Sequence, residues 1–197
     1  MENESQRHRL ERCQREVKEH PERASSHYNL GLAYTVSGRV KQAEKAYLKA
    51  LEIDPAMIQA WVNLGGVRLL RWEFQGCLEA NQAAARLRDD LPVVHYNMGQ
   101  AYLYLNDPEN LILCNEKVIE LDRENGAAHY YAAVGHLAMD NFGAAERHLG
   151  RAIELGHQPT QDFVKAMEKA QLKKQREQPI SLVQISGVKA PDNTKED

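Results

Sequence analysis

Cysteine is scarce in this chain: Cys13, Cys77 and Cys114 are the only three among 197 residues, and no two form a CxxC pair. That spacing excludes a zinc ribbon or a thioredoxin-type redox motif and fits reduced thiols better than a disulfide framework. Twelve glycines and seven prolines are too few for a collagen-like or low-complexity chain. A long apolar run is missing. The longest mostly apolar stretch, 126–139, carries His129 and His136 and is too short to cross a bilayer. The first nine residues are polar and charged and no apolar segment follows them, so neither a signal peptide nor membrane insertion is expected. There is no excess of positive charge. Lys and Arg number 25 against 28 Asp and Glu, a formal net charge of −3, which argues against a chain built to coat nucleic acid. Together with the thiols, this points to a cytoplasmic protein. What remains is an ordinary apolar fraction, 43 %, enough for a real core.

That fraction is arranged periodically. Leu30-Gly31-Leu32-Ala33-Tyr34, Leu64-Gly65-Gly66-Val67-Arg68 and Met98-Gly99-Gln100-Ala101-Tyr102 follow one another at a constant step of 34 residues, and one more step reaches Ala132-Ala133-Val134-Gly135-His136. A fixed period of this length marks a repeat architecture. Four units follow without insertion: 24–57, 58–91, 92–125 and 126–159. Each reads as two helices. In the first, Ser37-Gly38 ends one helix, Val40, Ala43, Tyr47, Ala50 and Leu51 recur at helical spacing, and Asp54-Pro55 closes the second. Asp107-Pro108 supplies a cap and a first-turn proline in unit three. Asn141-Phe142-Gly143 is expected to break unit four.

Gly31, Gly65 and Gly99 sit mid-helix at one phase, where glycine costs about 1 kcal/mol relative to alanine. A recurring cost needs a recurring benefit, and a close helix–helix approach that excludes a side chain supplies it. Flanking the units, 1–23 reads as a half-unit capping helix (Leu10, Cys13, Val17). Residues 160–178 read as a C-terminal capping helix striped by Phe163, Ala166, Met167 and Ala170. Residues 179–197 read as a flexible tail.

With these residues in place, the chain resembles the tetratricopeptide repeat family over 24–159. Unit one supplies Leu30, Gly31, Tyr34, Ala43, Tyr47, Ala50 and Pro55 at the family's pattern positions. Units two and three depart from it at Arg68, Asn81, Leu111 and Asn115. The resemblance implies an all-α fold, a right-handed α-α superhelix of about ten antiparallel helices. It also implies a concave face lined by the first helix of each unit. On that face it places Tyr28, Asn29, Leu32, Asn63, Leu70, Tyr96, Asn97, Gln100, Tyr104, Tyr130 and Tyr131.

Asn29, Asn63 and Asn97 fall in phase and resemble the asparagine ladder of some family members. An amide both donates and accepts, so such a row can satisfy an extended peptide backbone without demanding a sequence. The same residue type also serves helix packing in this position. Tyrosines beside it add rigid area with a polar tip. The clamp that other members use for chaperone C-terminal carboxylates needs Lys and Arg at fixed positions. Here those positions hold Tyr28, Leu32, Asn63, Val93 and Asn97, or one unit later Val62, Gly66, Asn97, Ala127 and Tyr131. No chaperone-tail receptor is expected.

Catalytic motifs are missing: no GxSxG, Walker loop, HExxH or EF-hand loop occurs. His27, His95 and His129 share a phase and read as half-buried packing residues. His129 and His136 are seven apart, which is not the spacing of a helical metal pair, so no metal or cofactor is expected. Lys173-Lys174-Gln175-Arg176 reads as a solvated helix end favoured by the helix dipole. The aliphatic segment Ile180-Ser181-Leu182-Val183 is either a docking strand or an idle terminus. The expected function is therefore a non-catalytic protein-interaction module: an adaptor, assembly factor or accessory subunit that takes a protein or peptide ligand, with no nucleic acid. The alternative is a scaffold that self-assembles into a homo-oligomer through its terminal half-units.

Overall fold

A computed structural model describes the backbone of residues 4–177 and the side chains of residues 4–172. The tail segment from Ile180 and the side chains of Lys173 to Arg176 lie outside the described residues. The chain divides into two units, one ending at Pro159 and the other beginning at Thr160. Among the described residues the first holds nine helices: α1 (Glu4–Glu19), α2 (Ala24–Val36), α3 (Val40–Ile53), α4 (Ile58–Leu70), α5 (Phe74–Leu87), α6 (Pro92–Tyr104), α7 (Pro108–Leu121), α8 (Gly126–Ala138) and α9 (Phe142–Glu154). The second holds α10 (Gln161–Glu177), whose first turn is capped by Thr160 Oγ1 accepting from the Phe163 N–H at 3.3 Å. Among the described residues there is no strand, and no helix is long and apolar enough to cross a membrane.

The helices α2 to α9 pair into four antiparallel hairpins, and each second helix packs on the first helix of the next hairpin. Helices α4 and α6, and α6 and α8, also touch directly, so the first helices converge on the inner side of the stack. The core follows the same one-dimensional logic, with successive buried clusters bridging neighbouring helices. Tyr47, Leu51, Leu64, Val67 and Ala80 form one of them. Cys77, Leu78, Val94, Met98 and Cys114 form the next.

Local sequence sets each turn. The hairpin turns place Gly38, Trp72, Asn106 and Asp140 in the left-handed region, at φ of 68°, 62°, 55° and 57°. Asp107 caps α7 through the Asn110 N–H, with Pro108 in the first turn. Unit four departs from the sequence expectation. Its break lies at Asp140, and Asn141 caps α9 by accepting from the Ala144 N–H, so Gly143 falls inside the helix.

The mid-helix glycines have the expected cause. A Cβ on Gly31 would lie 2.5 Å from Tyr47 Cε1, and one on Gly65 would lie 2.8 Å from Asn81 Cγ and closer still to its amide nitrogen. Each glycine thus faces the residue sixteen positions on. Where that residue is Leu149, the glycine slot holds Ala133. Asn81 cannot step aside. It is fully buried, donates to the Cys77 carbonyl at 2.9 Å and accepts from Asn97 Nδ2 at 3.3 Å.

Two adjacent glycines are therefore expected to respond with opposite signs. Gly65→Ala should lower the unfolding free energy by about 1–3 kcal/mol, because overpacking outweighs the helix-propensity gain. Gly66→Ala, whose Cβ meets nothing within 4 Å, should raise it by roughly 0.5–1 kcal/mol. Urea denaturation of the two variants checks this.

Candidate functional site

The inner face is built from α2, α4, α6 and α8, whose outward positions recur every 34 residues. Tyr28, Asn29, Leu32, Asn63, Tyr96, Asn97, Gln100 and Tyr131, all on these helices, are half-buried. They are not equally free. Asn63 Nδ2 donates to Tyr28 Oη at 3.1 Å, tying α4 to α2. Asn97 spends an N–H on buried Asn81. Tyr96 and Tyr131 meet edge to face at 6.2 Å between ring centroids. Tyr130 is buried, with its ring 4.7 Å from that of His157.

Two hollows open on this face. One, about 230 Å³, is lined by Tyr28, Val62, Asn63, Leu91 and Val93, with Arg88 at its edge. The other, about 250 Å³, is lined by Leu69, Leu70, Trp72, Gln100 and Tyr104. The second is the more unusual. Leu70, Trp72 and Tyr104 are 65, 68 and 52 % exposed, and Leu105 beside them is exposed too. The Trp72 ring stands edge-on to Tyr104 at 5.2 Å, and Tyr104 stacks on Phe74 at 4.8 Å. The Gln100 amide nitrogen is buried with no hydrogen-bond partner. Contiguous exposed apolar surface of this kind marks an interaction site more often than an accident of folding.

Trp72 escapes motif reading because a lone aromatic before a helix carries no family meaning. The 34-residue phase could have exposed it, since it occupies the turn slot that Gly38, Asn106 and Asp140 fill with residues tolerant of the left-handed region.

Elsewhere the departures from the family pattern are absorbed structurally. Arg68 pairs through Nε with Glu44 at 3.3 Å and donates to the Gly76 carbonyl at 3.0 Å; Arg71 also pairs with Glu44. The thiols offer no nucleophile. Burial raises Cys77 to about 11 and Cys114 to about 12, so both stay protonated and inert.

The phased histidines prove to be carbonyl caps. His27 Nε2 meets the Pro21 carbonyl and His95 Nε2 the Asp89 carbonyl, each at 2.8 Å. Trp61, at the same phase, donates to Pro55 at 2.8 Å. His129 bonds the Arg123 backbone in the same way. One further histidine, His148 on α9, lies outside that phase and carries no spacing signal. It lies between His129 and His136, with ring centroids 5.3 Å from each, and burial followed by these two neighbours and Arg147 holds it down at about 4.

Two stretches of the chain, 24–57 and 93–125, match models of the tetratricopeptide repeat. Among curated proteins, human protein O-mannosyl-transferase TMTC3 is 27 % identical over 153 residues, covering 68 % of this chain and 16 % of that protein. Anaphase-promoting complex subunit cut9 of Schizosaccharomyces pombe is 25 % identical over 100 residues, 51 % of this chain and 14 % of its own length. The chain thus spans under a fifth of either relative. Among solved structures, a crystal structure of MamA has a TM-score of 0.72 at 20 % identity, covering 75 % of this chain and 86 % of its own. MamA 41-end from Desulfovibrio magneticus RS-1 has a TM-score of 0.73 at 21 % identity, covering 78 % and 86 %. These structures share the fold.

Proposed function

We propose that this chain, which belongs to the tetratricopeptide repeat family, is a non-catalytic interaction module that holds an extended peptide or a protein surface on the face of α2, α4, α6 and α8. The observation that carries this reading is the exposed Leu70, Trp72 and Tyr104 cluster, in which a bulky residue occupies a turn position that glycine or asparagine would fill at lower cost. Aromatic anchors beside a hollow are the usual centre of a binding hot spot. Half-buried amides at Asn29, Asn63, Asn97 and Gln100 add donors and acceptors for a backbone, and the tyrosines at 28, 96 and 131 add area.

The positions of the chaperone-tail clamp hold no basic residue, so a carboxylate terminus is not the feature recognised. The similarity to cut9, named as a subunit of a complex, supports the role of an assembly factor or accessory subunit. TMTC3 is named as a transferase, but the match takes in 16 % of that protein and lends no catalytic group to this one. Three buried, unpaired thiols support a reducing, cytoplasmic setting. Self-assembly through the N-terminal half-unit finds less support, because α1 turns Arg7, Arg9, Arg12 and Arg15 outward.

Affinity capture of wild type beside a Leu70→Ser, Tyr104→Ser variant tests the reading, with equal helicity confirmed by circular dichroism. A partner held by wild type and lost from the variant is the expected result. A partner held equally by both would move the function to another surface. Sedimentation at rising concentration separates the alternative, which requires a mass that grows and that falls back when 1–20 are removed.

A further inference from the structure

We propose that Glu116, His136 and His148 form a binding site for a first-row divalent transition metal, with Zn²⁺ the best-fitting ion. The three residues come from three successive helices, α7, α8 and α9, and their ligand atoms all lie within 4.8 Å of one another. His136 Nε2 is 4.0 Å from Glu116 Oε1, and the rings of His136 and His148 stack. Zinc bonds of about 2.0–2.2 Å to nitrogen and oxygen place tetrahedral ligand atoms roughly 3.4 Å apart. The pairs must therefore close by up to about 1.4 Å, and the His136–Glu116 pair by about 0.6 Å. Glu116, an exposed side chain on a helix surface, closes its two distances by a change of rotamer, and small rotations of the half-buried imidazoles close the third. Two imidazoles and one carboxylate form a donor set of intermediate softness that suits zinc, nickel and cobalt and leaves a fourth position for water.

The protonation pattern around the cluster follows from the repeat. The residue at the phase of His129 donates a ring N–H to the carbonyl six residues earlier. Trp61 does so to Pro55, and an indole can only donate. His27 and His95 use Nε2 for the same bond. His129, bonded to the Arg123 backbone, keeps its proton there and leaves Nδ1 as an acceptor. His148 Nδ1 stands 3.2 Å from that acceptor, so His148 carries its proton on Nδ1 and its lone pair on Nε2. A neutral histidine whose outer N–H is held by a fixed acceptor is the form found on metal ions, and His129 is the positioning residue.

An open hollow of about 560 Å³ gives access from solvent. Its walls carry Glu116 and Glu120 against Arg123 and Arg151, with Arg147 nearby on α9. The opposing charges leave the hollow without a strong field, so affinity must come from ligation. None of the three ligands contributes to the Leu70–Trp72–Tyr104 cluster, so this site stands or falls apart from the binding face.

The full chain titrated with Co²⁺, followed by its visible d–d absorption, tests the site, with Zn²⁺ as competitor. One equivalent is expected to bind with the intensity of a four- or five-coordinate ion, to be displaced by Zn²⁺ and to raise the melting temperature. Glu116→Gln, His136→Gln and His148→Gln should each weaken Co²⁺ by at least about tenfold, while His20→Gln leaves it unchanged. Glu116→Gln keeps the test decisive even where a histidine variant fails to fold, because that side chain faces solvent. No saturable binding at 100-fold excess, a thiolate-to-cobalt band, or affinity unmoved in Glu116→Gln and whichever histidine variants fold would each overturn the site.

Discussion

Tyr47→Ala is expected to lower the unfolding free energy by about 3–5 kcal/mol, the cost of emptying a buried aromatic site. Tyr47 is fully buried and lies against Gly31, whose missing side chain makes its room. Its hydroxyl donates to Thr35 Oγ1 at 2.9 Å, and Thr35 in turn donates to the Gly31 carbonyl at 2.9 Å. Ring and glycine thus form one lock between α2 and α3. Truncation leaves a cavity that the helices cannot close without sliding, because Ala43, Ala50 and Leu64 already hold the rest of the cluster.

The repeat architecture shapes how the loss is seen. Each hairpin contacts mainly its neighbours, so the first hairpin should melt ahead of the others, broadening the urea transition and lowering its slope. Tyr47→Phe, which removes the hydroxyl alone, should cost about 0.5–1.5 kcal/mol and keep a single transition. Equal losses for the two variants would show that the hydrogen bond, not the packing, closes the hairpin.

Trp72→Gly is expected to weaken partner binding by roughly 30-fold or more while leaving the protein as stable as wild type or up to about 1 kcal/mol more stable. The two effects come from different physics. Trp72 sits at φ 62°, where a bulky side chain costs about 1–2 kcal/mol and glycine costs little. Its edge contacts with Tyr104 and Phe74 return about 0.5 kcal/mol each, the low end for such pairs because the ring is largely exposed, so the exchange is near balance or favourable. On the binding side the ring supplies the largest exposed apolar area of the cluster. Calorimetric melting and titration against the captured partner measure the two effects separately. A variant that loses stability and keeps affinity would make Trp72 a packing residue and remove the main support for the inner-face site.

Much of the fold was legible in the sequence because a solenoid writes its contacts locally. The step of 34 residues located the helix pairs, and the in-phase glycines announced a close approach that Tyr47, Asn81 and Asn115 fill. Asp107 and Asn141 cap the helices that follow them, although Asn141-Phe142-Gly143 resembles a breaker because the Asp140 turn carries no glycine. The site was harder to read. Face membership follows from phase, but freedom does not. Asn97 spends one N–H on Asn81, and Tyr130 is covered where His157 meets it, contacts that the family position alone does not encode. The histidine cluster joins α8 to a residue on α9 and another on α7, so no spacing along one helix could announce it.

The central claim is that the inner face near the ends of α4 and α6 receives the partner. Photo-cross-linking from a benzoylphenylalanine placed at position 104, compared with one at position 113, tests it most directly. Tyr104 lies on that face, whereas Leu113, 63 % exposed, lies on the second helix of its hairpin. Capture of a partner from position 104 and none from position 113 is the predicted result. Capture from position 113 with none from position 104 would contradict the account and place recognition on the outer helices.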